Sequence, residues 1–139
     1  MLINGRYRCA GCTNIIESDY STCVCGHDNR VNGNHVHCLA TGTVLAGKYY
    51  IGKVIGEGGF GITYVGWDAA GNRKVAIKEF YLNGFSSRNS LKSANVIPNS
   101  GEEGEFFKKY REKFVVEAQT LNSFVNGEFF LKIKPFFFY

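Results

Sequence analysis

Residues 49–80 read YYIGKVIGEGGFGITYVGWDAAGNRKVAIKEF, and the fold turns on this stretch. Its branched and aromatic residues fall into three runs, 49–55, 61–67 and 73–80. Gly56-Glu57-Gly58-Gly59 parts the first two, and Asp68-Ala69-Ala70-Gly71-Asn72 parts the second from the third. Both breaks are rich in residues that tolerate tight turns. Short connections between strands make neighbours antiparallel, so the stretch predicts a three-stranded meander.

Gly56-Glu57-Gly58-Gly59-Phe60-Gly61 also fits the spacing G-x-G-x-x-G. Alone this is weak, because a plain glycine-rich hairpin turn has the same letters. The residues on its C-terminal side narrow the choice. A dinucleotide fold opens a helix at the last glycine, whereas Ile62-Thr63-Tyr64-Val65-Gly66-Trp67 reads as a strand. A P-loop needs Gly-Lys-Ser/Thr, which is absent. A glycine turn between antiparallel strands leaves backbone N–H groups open to phosphates, as in protein kinases. Val75-Ala76-Ile77-Lys78 lies on the third strand, one hairpin later. Alternation puts Ala76 and Lys78 on one face, with space for adenine at the alanine and reach to the α- and β-phosphates at the lysine.

These motifs carry a resemblance. Residues 43–125 are similar to the N-terminal lobe of bacterial, eukaryotic-like serine/threonine protein kinases. TGTVLAGKYYIGKVIGEGGFGITYVGWD and KVAIKEFY look especially like kinases with a leading zinc ribbon. The resemblance implies an α+β fold, an antiparallel meander plus one helix, preceded by a small zinc-ribbon-like module. It implies ATP as ligand, bound as Mg-ATP in a full-length parent, and a protein substrate for that parent's transferase activity. The nucleotide positions it implies are Ile55, Gly56, Glu57, Gly58, Gly59, Phe60, Gly61, Thr63, Ala76 and Lys78. Thr63 stands where valine is usual and keeps the branched shape.

Farther along, residues 83–101 are polar and rich in Ser, Asn and Gly, a long loop. Phe107, Tyr110, Phe114, Ala118 and Leu121 then recur at three- and four-residue steps, predicting a helix over 105–124. In kinases a glutamate from this helix holds the lysine that corresponds to Lys78. Glu105 has Lys109 at i+4, and Glu112 follows Lys108 and Lys109 by one turn, so both read as surface pairs. Glu117 lies on the apolar side with Phe114, Ala118 and Leu121. A carboxylate placed there needs a partner, and Lys78 supplies one. Lys78 and Glu117 are therefore the candidate catalytic pair.

The aspartates and asparagine that hold Mg²⁺ and position the substrate hydroxyl follow the helix in kinases. Here the aspartates are Asp19, Asp28 and Asp68, all ahead of Lys78. The resemblance stops after Asn126, and EFFLKIKPFFFY at 128–139 has no evident partner element. The expectation is a truncated lobe, from a premature stop, frameshift or cut gene model, that transfers no phosphate by itself.

Toward the N-terminus, Cys9-Ala-Gly-Cys12 and Cys23-Val-Cys25 form two close pairs. A hairpin that joins them gives the tetrahedral sulfur site that Zn²⁺ prefers. So short a segment buries too little apolar surface to fold unaided, which makes a metal physically useful. The second pair is tight, and His27 is spaced to replace one cysteine. Residues 28–42 lack apolar periodicity and read as linker, with His35, His37 and Cys38 as its exposed residues. The organisation expected is a zinc-ribbon-like module at 1–30, linker and lead-in at 31–48, kinase lobe at 49–126 and divergent tail at 127–139.

Bulk properties exclude several classes. A net charge of +4 with basic residues interrupted by glutamates gives no nucleic-acid stripe. No apolar run reaches the ~18 residues of a membrane span, and the start lacks a signal peptide's apolar middle. Five cysteines without that signal argue for a reducing compartment, the cytoplasm by default. Two functions compete: an ATP-binding fragment of a serine/threonine kinase, and a non-catalytic zinc-ribbon binding module with a relic kinase lobe.

Overall fold

A computed structural model describes residues 1–31, 33–84, 86–88, 97–98, 101–124 and 131–133. In chain order the elements are β1 (Leu2–Ile3), β2 (Arg6–Tyr7), β3 (Val44–Leu45), β4 (Tyr49–Gly58), β5 (Gly61–Asp68) and β6 (Arg73–Glu79). Next come β7 (Ser86–Ser87), β8 (Ile97–Pro98), α1 (Glu102–Phe124) and β9 (Leu131–Ile133). The main sheet runs β3-β4-β5-β6-β9. Its centre is the expected meander, antiparallel from β3 to β6.

The sheet is covered on both faces. On one, Phe80 and Leu82 pack with Phe107 and Phe114 of α1, and Tyr110 lies against them. The ring of Phe80 meets Phe107 at 5.0 Å and Phe114 at 5.2 Å. The three- and four-residue spacing read from the sequence delivers these helix residues inward, and α1 opens at Glu102, one turn ahead of 105. Its outer side carries a Lys108–Glu105 pair at 2.9 Å.

The other face holds the larger core: Ile51, Ile62, Tyr64, Val75, Ile77 and Tyr81, covered by Cys38, Leu39 and Leu45. Here the structure corrects the reading of 28–42 as linker with Cys38 exposed. Cys38 is fully buried and Leu39 nearly so. Asn34 fixes this segment although it is polar. Its amide donates to the carbonyls of Leu39 at 2.8 Å and Gly52 at 3.0 Å, and its oxygen accepts from the Val54 amide at 2.9 Å. A buried side-chain amide so satisfied costs little. Such anchoring leaves no apolar period in the sequence.

A second correction concerns the tail. Leu131–Ile133 has a partner: it pairs in parallel with β6, Ala76 opposite Leu131 and Lys78 opposite Ile133. Parallel pairing needs a long crossover rather than a turn, so no local signal announces it.

The cysteine-bearing segment docks on β4 and β5. The Lys53 amide donates to the Ala10 carbonyl at 2.7 Å. A Cβ at Gly52 would stand 2.4 Å from that carbonyl oxygen, so only glycine permits the approach. The Arg8 guanidinium lies 3.5 Å from the centre of the Trp67 ring, a cation–π contact.

Candidate nucleotide site and cysteine cluster

The β4–β5 hairpin closes with Gly58 opposite Gly61, leaving Gly59 and Phe60 at the tip. Gly56 is opposite Thr63, and Thr63 is opposite Lys78. Cross-strand partners share a face, so Gly56, Thr63 and Lys78 stand together. Val65 opposite Ala76 continues the row. All of this lies on the α1 side of the sheet, where Lys78 Nζ is 5.4 Å from the Phe114 ring centre. Ile55 and the whole turn from Gly56 to Phe60 are exposed, while Thr63, Ala76 and Lys78 are half-buried.

The loop glycines differ in what they do. A Cβ on Gly58 or Gly59 would meet nothing within 4 Å, so the backbone there is open to a ligand. A Cβ on Gly61 would stand 2.6 Å from the Glu79 carbonyl oxygen. Gly61 is therefore required by strand packing. Phe60 reaches back and stacks on Tyr110, ring centres 5.0 Å apart, bridging turn and helix. The Glu57 side chain bonds to His37 Nε2 at 2.5 Å. Its register with Ile62 and then Glu79 puts that carboxylate on the face away from Lys78.

Glu117 sits within α1, but its side chain, like that of Leu121, lies outside the described residues.

The four cysteines named from spacing come together. Every Sγ of Cys9, Cys12, Cys23 and Cys25 lies within 4.8 Å of the others. Cys9 is 3.7 Å from Cys25, and Cys12 is 3.7 Å from Cys23. Two tight turns present them: the Thr13 amide donates to the Cys9 carbonyl, and the Gly26 amide to the Cys23 carbonyl, each at 2.8 Å. The tight Cys23/Cys25 spacing therefore does not keep either sulfur out. His27 is not a member of the cluster; it packs on the Cys9–Cys12 turn, where a Cβ on Gly11 would stand 2.6 Å from its Cβ.

The sulfurs are not equivalent electrostatically. Burial opposes ionisation of Cys9, but amide donors from Gly11 and Cys12 and the Asn29 side chain outweigh it, bringing that thiol down to about 7. Burial pushes Cys12 up to about 12. Arg30, a sequence neighbour, is engaged by Asp28 at 2.8 Å, while the Gly11 amide and the Asn29 side chain donate to Cys9 Sγ at 3.3 and 3.7 Å. Four converging sulfurs with no disulfide among them can hold a metal ion such as zinc.

The chain is similar to a solved structure, PpkA-294 in its apo form. The two share 31% identity and a TM-score of 0.57, over 63% of this chain and 30% of that one. This chain thus spans about 30% of that structure's length. The likeness supports a kinase-like relationship, and the antiparallel β3–β6 strands with the long helix α1 fit an N-lobe-like α+β fold. No family model and no curated protein matches the chain. Among the described residues, no helix is long and apolar enough to cross a membrane.

Proposed function

We propose that this chain is the ATP-binding N-lobe of a protein serine/threonine kinase, carried behind a zinc-bearing module at its N-terminus. The observation that supports it best is the register Gly56–Thr63–Lys78. Lys78 stands on the same face as Gly56, one strand beyond Thr63, which supports reading it as the cation that meets phosphates held by the glycine turn. In this reading the amides of the turn and the Lys78 ammonium hold phosphates, and Thr63 and Ala76 cover one side of adenine. Glu117 pairs with Lys78 when α1 is swung in.

Phosphoryl transfer further needs metal-holding carboxylates and a residue that orients the acceptor hydroxyl. The sequence has no aspartate after Asp68. Those groups would come from outside these 139 residues, as would the protein substrate's docking surface. Zinc on Cys9, Cys12, Cys23 and Cys25 is structural in this proposal: four thiolates leave no open position for chemistry.

Amide shift mapping by NMR with Mg-ATP tests the nucleotide reading. Shifts at Gly56, Gly58, Gly59 and Gly61 that disappear in Lys78→Met are the expected result. Loop amides that stay still at about 10 mM ATP, roughly tenfold above the weakest useful affinity, would refute it.

A further inference from the structure

From two residues outside both sites and a turn carboxylate that the nucleotide reading leaves without a role, we infer that His37, Cys38 and Glu57 form a second divalent-cation site, which ties the segment ahead of the sheet to the glycine turn. The three ligand atoms lie within 4.8 Å of one another. His37 Nε2 and Glu57 Oε1 are 2.5 Å apart. Two donors on one zinc, each bonded at about 2.0–2.1 Å in a tetrahedral array, stand roughly 3.3 Å apart. That pair needs to open by less than about 1 Å to admit the ion.

A histidine–glutamate ion pair accounts for two of the three groups. It does not account for the third, a fully buried thiol within reach of both. The scaffold also presents the ligands firmly. The Cys38 amide donates to the His35 carbonyl at 2.9 Å, forming the turn that carries the adjacent ligands. The Arg88 guanidinium donates to the His37 carbonyl at 3.1 Å. The His37 ring neighbours those of His35 and Tyr81, with ring centres at 5.9 and 5.7 Å. His37 and Glu57 remain about a third exposed, which gives an ion a path from solvent, while Cys38 closes the inner side.

The donor set selects the ion. One nitrogen, one sulfur and one oxygen suit zinc or a neighbouring transition metal, whereas Mg²⁺ and Ca²⁺ demand oxygens. Three protein ligands leave a fourth position for water. Glu57 approaches from the face opposite Lys78, so the ion would pin the turn from outside without filling the phosphate space. Only the effect of that pinning on nucleotide rests on the function proposed above; cation binding does not.

Titration of the reduced 139-residue chain with Zn²⁺, and separately with Co²⁺, provides the test. Two equivalents per chain are expected, the second weaker and showing a single-thiolate cobalt spectrum. Glu57→Gln and His37→Ala should each weaken the second step by about tenfold or more and leave the first unchanged. Amide hydrogen exchange over 56–60 should slow on filling the second site. Glu57→Gln alters a half-exposed side chain and so serves even if Cys38→Ser fails to fold. A single equivalent in the unmodified chain, or a second step within twofold of normal in both variants, overturns the inference.

Discussion

The hydroxyl of Tyr64 donates a 2.7 Å hydrogen bond to Glu79 Oε2 on the face of the sheet that holds the larger core. The same hydroxyl oxygen accepts the Leu39 amide at 2.9 Å, and Arg88 closes an ion pair on the other carboxylate oxygen. One buried carboxylate thereby joins the segment at 39, strands β5 and β6, and the residues beyond β6. A polar network of this kind stabilises only while every member is satisfied.

Tyr64→Phe tests the network. It leaves the buried Leu39 N–H and one lone-pair direction of Glu79 unpaired, with little change of shape. A loss of about 1–3 kcal/mol is expected, read as a lower urea midpoint at unchanged slope. An unchanged midpoint would show that water replaces the hydroxyl freely.

Glu79 gives the network a pH dependence. Burial raises its carboxyl above the ordinary 4.5, with Arg88 and Tyr64 pulling the other way without cancelling it. A raised native value means that the folded chain binds the proton more tightly than the unfolded one. Stability from this group is therefore fully present below 4.5 and declines as pH rises through the raised value. Glu79→Gln should remove that declining limb from a plot of denaturation midpoint against pH. A limb that survives belongs to another group.

Much of this architecture is legible in the sequence, and the exceptions share a cause. The meander, the shared face of Ala76 and Lys78, and the inward Phe107 and Phe114 follow from local periods of two and about 3.6. The burial of Asn34, Cys38 and Leu39 does not, because one amide side chain anchors that segment. Glu57 meets His37 across 20 residues of chain. It sits in a motif whose reading accounts for its glycines and leaves its carboxylate unassigned. β9 finds β6 with no turn between them. Periodicity reports elements; it is silent on which distant side chain completes a site.

The loop glycines predict a separation of effects. Gly61→Ala places a methyl 2.6 Å from the Glu79 carbonyl oxygen, and backbone must shift to relieve it. A cost of about 1–3 kcal/mol is expected. Gly58→Ala enters open space, so its effect on stability should stay within about 0.5 kcal/mol. Nucleotide-induced shifts should weaken in Gly58→Ala all the same. If Gly61→Ala melts like the unmodified chain, the close approach of β5 and β6 is wrong.

For the cysteine cluster, the expected outcome is one tightly held zinc that resists dialysis in chain purified without a metal-affinity tag. Cys9→Ser with Cys12→Ser should remove it, and chelation should unfold the residues around the four cysteines if binding and folding are linked there. Each zinc taken up should release protons, Cys12 having been held protonated by burial. Zinc content that is nil, or unchanged in the double variant, defeats the assignment.

The final prediction concerns activity. With excess Mg²⁺ and ATP, the 139-residue chain should show no detectable phosphoryl transfer. In the proposed reading the open turn and Lys78 meet phosphates, and Thr63 and Ala76 cover one side of adenine. No aspartate follows Asp68 to hold the metal between β- and γ-phosphates. The turn from Gly56 to Phe60 is exposed, so water screens the charge that Lys78 would stabilise. Affinity should be no better than about 1 mM, where binding is worth roughly 4 kcal/mol. Lys78→Met should reduce even that, as read by titration calorimetry beside a radiolabel transfer assay. Label on a protein substrate that depends on Lys78 would contradict the prediction, and would mean that a second chain supplies the missing carboxylates to this lobe.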